Sequence, residues 1–302
     1  MNLNPHLPIV YHPNYSFNFD PKHRFVMSKF AYLYEHVKSL GLINSNLVQP
    51  KLGTPEPLEL VHCDNYIYDL WHNRLDEKAM RRIGLPWSEQ LMARTFTAPL
   101  GTLQTARLAL KHGIACHLAG GTHHAHTDFG SGYCMVNDLA FTSETLIKSG
   151  EVTNILIFDL DVHQGDGTAA MLAHQPYAYT CSIHCEKNFP FRKSASDLDI
   201  GLAPNVADSE YLGVVDDTLS YLLNTLNPDL VLYDAGVDVW QEDGLGKLDI
   251  SWQGIEQRDH LVLKRCLERN VPVATVIGGG YDKDHRRLAA RHGIVVEQAA
   301  QF

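Results

Sequence analysis

The stretch NILIFDLDVHQGDG, residues 154–167, decides how this chain folds. Ile155, Leu156, Ile157 and Phe158 form an unbroken apolar run of the kind that fills a strand buried on both faces. The run then places Asp159, Asp161 and His163 at alternate positions, so in extended backbone their side chains share one face. Further apolar runs of similar length recur at residues 9–11, 114–119, 178–184, 229–235 and 271–277, most of them ending at Gly, Asp or His. Between them, residues 28–40, 88–111, 138–148, 209–226 and 251–269 show helical periodicity. Buried strands alternating with helices predict a three-layer α/β fold, with a central, mostly parallel sheet and helices on both faces. No repeat, low-complexity tract or linker divides the chain, so residues 1–302 are expected to form a single domain.

Composition fits that reading and excludes others. Of 302 residues, 45% are hydrophobic and 20% charged, which is ordinary for a globular protein and argues against disorder. The formal net charge of -10, with no dense Lys/Arg run, argues against direct nucleic acid binding. Arg81-Arg82 and Arg286-Arg287 read as solvated helix ends. Cys63, Cys116, Cys134, Cys181, Cys185 and Cys266 include no CxxC pair and read as reduced and structural. The N-terminal MNLNPHLPIVYHPNY lacks a basic n-region and a sustained apolar core, and no segment reaches the ~18 apolar residues of a membrane helix. A cytoplasmic protein without membrane contact is the expectation; oligomeric state is not legible.

A core strand should not carry Asp159, Asp161 and His163 on one face. Burying an unpaired carboxylate is costly, and a divalent cation offsets the cost while using carboxylate oxygen and imidazole nitrogen as ligands. An isolated D-x-H could equally cap the next helix. Asp238, however, follows the apolar run LVLYDAG at another strand end and can supply a third ligand to Asp161 and His163. Three protein ligands leave a position for water, as in a catalytic rather than a structural zinc site.

In AGGTHHAHTDFGSGYC, residues 119–134, glycine turns can bring His123 and His124 to the same sheet edge, where Asp159 and Asp166 can orient the two rings. A lone HH pair is more often a polar loop; carboxylate partners favour acid/base work. VPVATVIGGGYDK, residues 271–283, sets Tyr281 after three glycines, where its hydroxyl can donate to a developing oxyanion. Alone, a Tyr on a glycine turn is ordinary structure.

Taken in order, GGTHHAHTDFGSGYCMVND, DLDVHQGDG, DAGVDVWQEDGLGKLDIS and GGGY resemble the zinc-dependent histone deacetylase family, with DLDVHQG closest to its class IV-like members. The resemblance spans most of the chain and implies an arginase/deacetylase fold with a narrow acyl-lysine tunnel leading to one zinc. It implies that Asp161, His163 and Asp238 hold zinc, and that His123 and His124 are the tandem histidines with Asp159 and Asp166 as partners. Tyr281 then polarises the carbonyl, and His124 is the preferred general base. Gly132, Tyr133 and Phe189 match tunnel-wall positions. Asp159, Asp161, His163 and Ser182 match an inner monovalent-cation site, usually potassium. Two positions depart from the common pattern: Gln164 stands for a second His, and Ile277 for a further Gly.

The implied reaction is hydrolysis of an acyl amide, of acyl-lysine in a protein or of a small acylated amine. An arginase-like metallohydrolase is the nearest competitor, but DLDVHQGD lacks the DxHxD arrangement of its binuclear site. A non-catalytic acyl-lysine-binding module would need no complete catalytic set. Residues 84–97 and 185–199 are expected as rim loops.

Overall fold

The computed structural model describes residues 3–302; Met1 and Asn2, which open the N-terminal stretch and the single domain expected over 1–302, lie outside the described residues. Eight strands form one sheet in the order β2-β1-β3-β8-β7-β4-β5-β6. They are β1 (Ile9–Val10), β2 (Leu47–Val48), β3 (Ile114–His117), β4 (Ile155–Asp159), β5 (Ala178–Cys185), β6 (Leu198–Leu202), β7 (Leu230–Asp234) and β8 (Val273–Val276). Every pairing is parallel, so the sheet is wholly rather than mostly parallel.

All six apolar runs became strands. Two strands carried no such signal: β2 is two residues long, and β6 alternates half-buried and exposed residues because it forms one edge of the sheet.

Among the described residues the α-helices are α1 (Lys29–Ser39), α2 (Asp64–Trp71), α3 (Glu77–Ile83), α4 (Glu89–His112), α5 (Asp138–Lys148), α6 (Asp166–Leu172), α7 (Asp208–Leu226), α8 (Trp252–Glu268) and α9 (His285–Ala299). Helices α4 and α5 pack on each other, while α1, α9, α8 and α7 pack in succession as a second group; α4, α8 and α9 all touch the sheet. Helix crossovers are what parallel strands require. The five periodic segments are α1, α4, α5, α7 and α8. Helix α9 carries no clear periodic signal because nine of its fifteen residues are buried and polar residues such as Arg291 and His292 go inside with the apolar ones. Residues 84–97 are not a rim loop throughout: Ser88 Oγ accepts from Leu91 N at 3.1 Å and starts α4 at Glu89.

All six cysteines are free, five buried and Cys63 exposed. Among the described residues no helix is long and apolar enough to cross a membrane.

Candidate metal centre and acyl tunnel

Because the strands are parallel, the segments leaving β3, β4, β7 and β8 emerge on one edge of the sheet, where ligand sites of open α/β folds collect. Each brings part of the site: His123 and His124 after β3, Asp161 and His163 after β4, Asp238 after β7, Tyr281 after β8. Arg258, fully buried on α8, holds two of these segments, those after β4 and β7, in place. Its guanidinium donates to the carbonyls of Gly236 (2.6 Å), Ala235 (3.3 Å) and Leu160 (3.4 Å), and is paired with Asp259 at 2.9 Å. Sequence reading missed Arg258, since a lone Arg in a periodic helix carries no sign of burial.

Asp161, His163 and Asp238 come together, all buried, with one ligand atom from each within 4.8 Å of the others. His163 Nδ1 lies 3.0 Å from Asp161 Oδ1 and 3.1 Å from Asp238 Oδ2. Ligands about 2.0–2.1 Å from a tetrahedral zinc stand about 3.0–3.4 Å apart, so the donor set fits that ion. The carboxylates are aimed by backbone amides: Gly279 N donates to Asp161 Oδ2 at 2.6 Å, and Val162 N to Asp238 Oδ1 at 2.9 Å. Burial and the neighbouring Asp161 raise the Asp238 carboxyl above its usual range, a repulsion a dication relieves. Asn188, which the sequence did not single out, places Nδ2 3.3 Å from His163 Nε2 and donates to Leu245 O at 2.8 Å.

The tandem histidines have the partners expected. His123 Nδ1 is 2.7 Å from Asp159 Oδ2, and His124 Nδ1 is 2.6 Å from Asp166 Oδ1, whose other oxygen lies 3.1 Å from His126 Nε2. His126 is a further partner that sequence reading passed over. Burial opposes charge on His123, but Asp159, Asp161 and Asp234 outweigh it and hold the ring well above the ordinary histidine range. Burial and the cationic His123 push His124 down to about 4, with Asp166 only partly offsetting them.

Asp234 was read only as the end of an apolar run. The β4–β7 register sets it beside Asp159, its carboxylate 4.0 Å from His123 Nδ1 and both its oxygens buried without a hydrogen-bond partner. Burial, then repulsion from Asp159, raises its carboxyl well above the usual carboxylate range. The β4–β5 register places Ser182 on Asp159's other side, its hydroxyl 3.0 Å from His184 Nδ1.

Gly132, Tyr133 and Phe189 line one cavity of about 410 Å³ with His124, His163 and Tyr281. Gly132 is obligatory: its φ is +53°, and a Cβ there would come within 2.6 Å of His124 Cδ2. Phe189 stands edge-on to His124 with ring centroids 4.9 Å apart, whereas Tyr133 turns toward Phe25 and Tyr281. Tyr281 also borders a smaller inner cavity of about 50 Å³ lined by Lys29 and Arg94 together with the metal-site residues. Burial, with Asp238 and Asp161 nearby, keeps its hydroxyl protonated well above the usual range. Lys29 and Arg94 are buried cations that sequence reading missed.

A family model for the histone deacetylase domain matches residues 23–296. The chain is 48% identical over 289 residues to an uncharacterized protein of Picosynechococcus, covering 95% of this chain and 96% of that one. It is 28% identical to histone deacetylase 2 of Arabidopsis thaliana over 93% of this chain and 76% of the relative. It is 27% identical to the acetoin utilization protein AcuC of Staphylococcus aureus, over 88% and 74%. Among solved structures, an HDAC homolog complexed with SAHA superposes with a TM-score of 0.79 at 23% identity, covering 97% of this chain and 84% of that one. An HDAC homolog from Aquifex aeolicus gives 0.78 at the same identity and coverage.

Proposed function

Since the chain belongs to the histone deacetylase family, we propose that it is a zinc-dependent deacylase that hydrolyses the amide of an acyl-lysine. The observation that carries this reading is the meeting of Asp161, His163 and Asp238 in a small cavity that shares His163, Gly132, Tyr133 and Tyr281 with the larger cavity bordered by Phe189. A three-ligand centre at the end of a lined tunnel suits a substrate with a narrow stem and a reactive tip.

Asp161, His163 and Asp238 would hold a zinc ion, which would supply Lewis acidity to the acyl carbonyl and to an attacking water. His124, neutral at physiological pH, accepts the water proton through Nε2, because Nδ1 is engaged by Asp166, and returns it to the leaving amine. His123, charged beside Asp159, presents positive charge to the same point. The Tyr281 hydroxyl donates to the carbonyl oxygen as it gains charge. The products are a free amine and a carboxylate, and the inner cavity with Lys29 and Arg94 suits the latter by charge. A potassium ion beside Asp159, Asp161, His163 and Ser182 belongs to the same reading, supported by the β4–β5 register.

Zinc-loaded protein incubated with acyl-lysine peptides of increasing chain length is expected to release the free acid, with about one zinc bound per chain. Tyr281→Phe should lower kcat by about 10²–10³ while keeping the zinc, as for loss of one oxyanion donor. Two manganese ions per chain, or no hydrolysis across the panel with zinc in place, would overturn the reading.

A further inference from the structure

In a chain of net charge -10, the mouth of the tunnel is positive. The cavity that holds Gly132, Tyr133 and Phe189 is bordered by Arg24, Arg81, Arg82, Lys187 and Lys247, and by no carboxylate. All five cations are exposed. Arg24, Arg82 and Lys247 have no carboxylate within 4.0 Å among the described residues; Arg82 Nε donates to Gly130 O, and Lys247 Nζ to Lys187 O. Arg81 meets Glu77 at 3.2 Å and Lys187 meets Glu186 at 3.4 Å, both as exposed pairs that neutralise little in water.

Across the Tyr281 and Leu245 wall a second opening, of about 610 Å³, adds Lys22 and Lys283, which also have no carboxylate within 4.0 Å among the described residues. Its two acids, Glu242 and Asp282, are both paired with Arg287, at 3.3 and 2.9 Å. The cations come from five separate segments: the stretch before α1, the end of α3, and the loops after β5, β7 and β8. They converge on the mouth from separate parts of the chain. At physiological salt charges interact over about 8 Å, so a substrate at the mouth feels this rim and not the acidity of the rest of the surface.

We propose, resting on the deacylase reading, that the substrate is an acyl-lysine within an acidic polypeptide segment, with Asp or Glu on both sides of the modified residue. Five cations delivered to the opening by separate segments can meet carboxylates both before and after the lysine. A small acylated amine entering the tunnel reaches the rim on one side at most, and a polyamine or a Lys/Arg-rich tail is repelled. Arg81-Arg82, in sequence merely a solvated helix end, thereby acquires a role at the entrance.

The test compares three acetyl-lysine substrates on zinc-loaded protein: a peptide with two Glu on each side, one with two Lys on each side, and an uncharged acetyl-lysine anilide. The acidic peptide is expected to exceed the basic one about tenfold or more in kcat/KM at 50 mM NaCl, with the ratio shrinking toward one at 500 mM. In Arg24→Glu/Lys247→Glu the low-salt ratio should collapse or invert. Equal rates for the two peptides, with the anilide hydrolysed, overturn the rim proposal and leave the deacylase reading standing. Fluorescence anisotropy of the same labelled peptides reads the rim independently of turnover. If none of the three is hydrolysed, the deacylase reading fails, and equal dissociation constants for the two peptides would then sink the rim proposal as well.

Discussion

The rings of His123 and His124 lie 4.1 Å apart between centroids and are driven in opposite directions: His123 is held charged by Asp159, Asp161 and Asp234, and His124 is held neutral by burial and by His123 itself. Two adjacent imidazoles of like charge would repel, so the charge of one fixes the neutrality of the other. Only the neutral ring can accept a proton at the start of turnover. His124→Ala is therefore expected to lower kcat by about 10²–10⁴ with bound zinc unchanged. Measuring kcat beside metal content separates the two effects, and near-normal turnover would move the base to His123.

How far the sequence discloses this arrangement depends on the kind of signal. Strand β4 and the alternation of Asp159, Asp161 and His163 are legible because a period of two and a buried apolar run are local. Asp238 was legible as a polar residue following such a run. Arg258, Lys29, Arg94 and Asp234 were not, because their burial follows from strand order and helix packing, which no local pattern contains. The raised carboxyl of Asp234 in particular arises from its burial and then from a cross-strand neighbour 75 residues away in the chain, Asp159. The rim was hidden for the same reason: five cations scattered over the sequence meet only after folding.

His62 gives a pH dependence of stability that does not involve the metal site. Its Nδ1 is 3.0 Å from His126 O, and its Nε2 accepts from Asn137 N at 3.0 Å, so the neutral ring is satisfied at both ends. Protonation would set one N–H against another. Burial accordingly lowers its pKa to about 4 from 6.5. The folded state binds this proton less readily than the unfolded one, so the stabilisation is full above pH 6.5 and is lost as pH falls toward 4. The whole loss is on the order of 3 kcal/mol. Denaturant unfolding at pH 7.5 and 5.0 should show a shallower pH dependence for His62→Gln than for the parent; identical slopes would contradict the assignment.

Gln164, the departure from the common pattern, is buried and clasps the loop that carries Phe189. Its Nε2 donates to Ser194 O and Asp199 Oδ1, both at 2.7 Å, and its Oε1 accepts from Ser194 N at 3.0 Å. Two hydrogen bonds to Ser194 in the loop and one to Asp199 at the start of β6 fix the loop's height over the tunnel. Gln164→Ala leaves those partners unsatisfied and is expected to cost about 1–3 kcal/mol in stability. Phe189 should then be less well placed, raising KM several-fold while zinc content stays at one per chain. A variant that loses zinc with KM unchanged would assign Gln164 to the metal centre instead.

Asp161 and Asp238 place two buried carboxylates against one imidazole, His163, which their hydrogen bonds hold up at about 10 despite burial. Without a cation the cluster depends on a shared proton from that ring; with one, both carboxylates gain a partner of full charge. Zinc should therefore raise the unfolding temperature steeply, by an amount equivalent to about 4 kcal/mol when free zinc is a thousand times its dissociation constant. Asp238→Asn removes one ligand charge and also relieves the repulsion in the apo protein. Its apo form is expected to melt no lower than the parent apo form, while the zinc-dependent gain largely disappears. Scanning calorimetry with and without added zinc on both proteins checks this, and an undiminished zinc shift in Asp238→Asn would remove Asp238 from the ligand set.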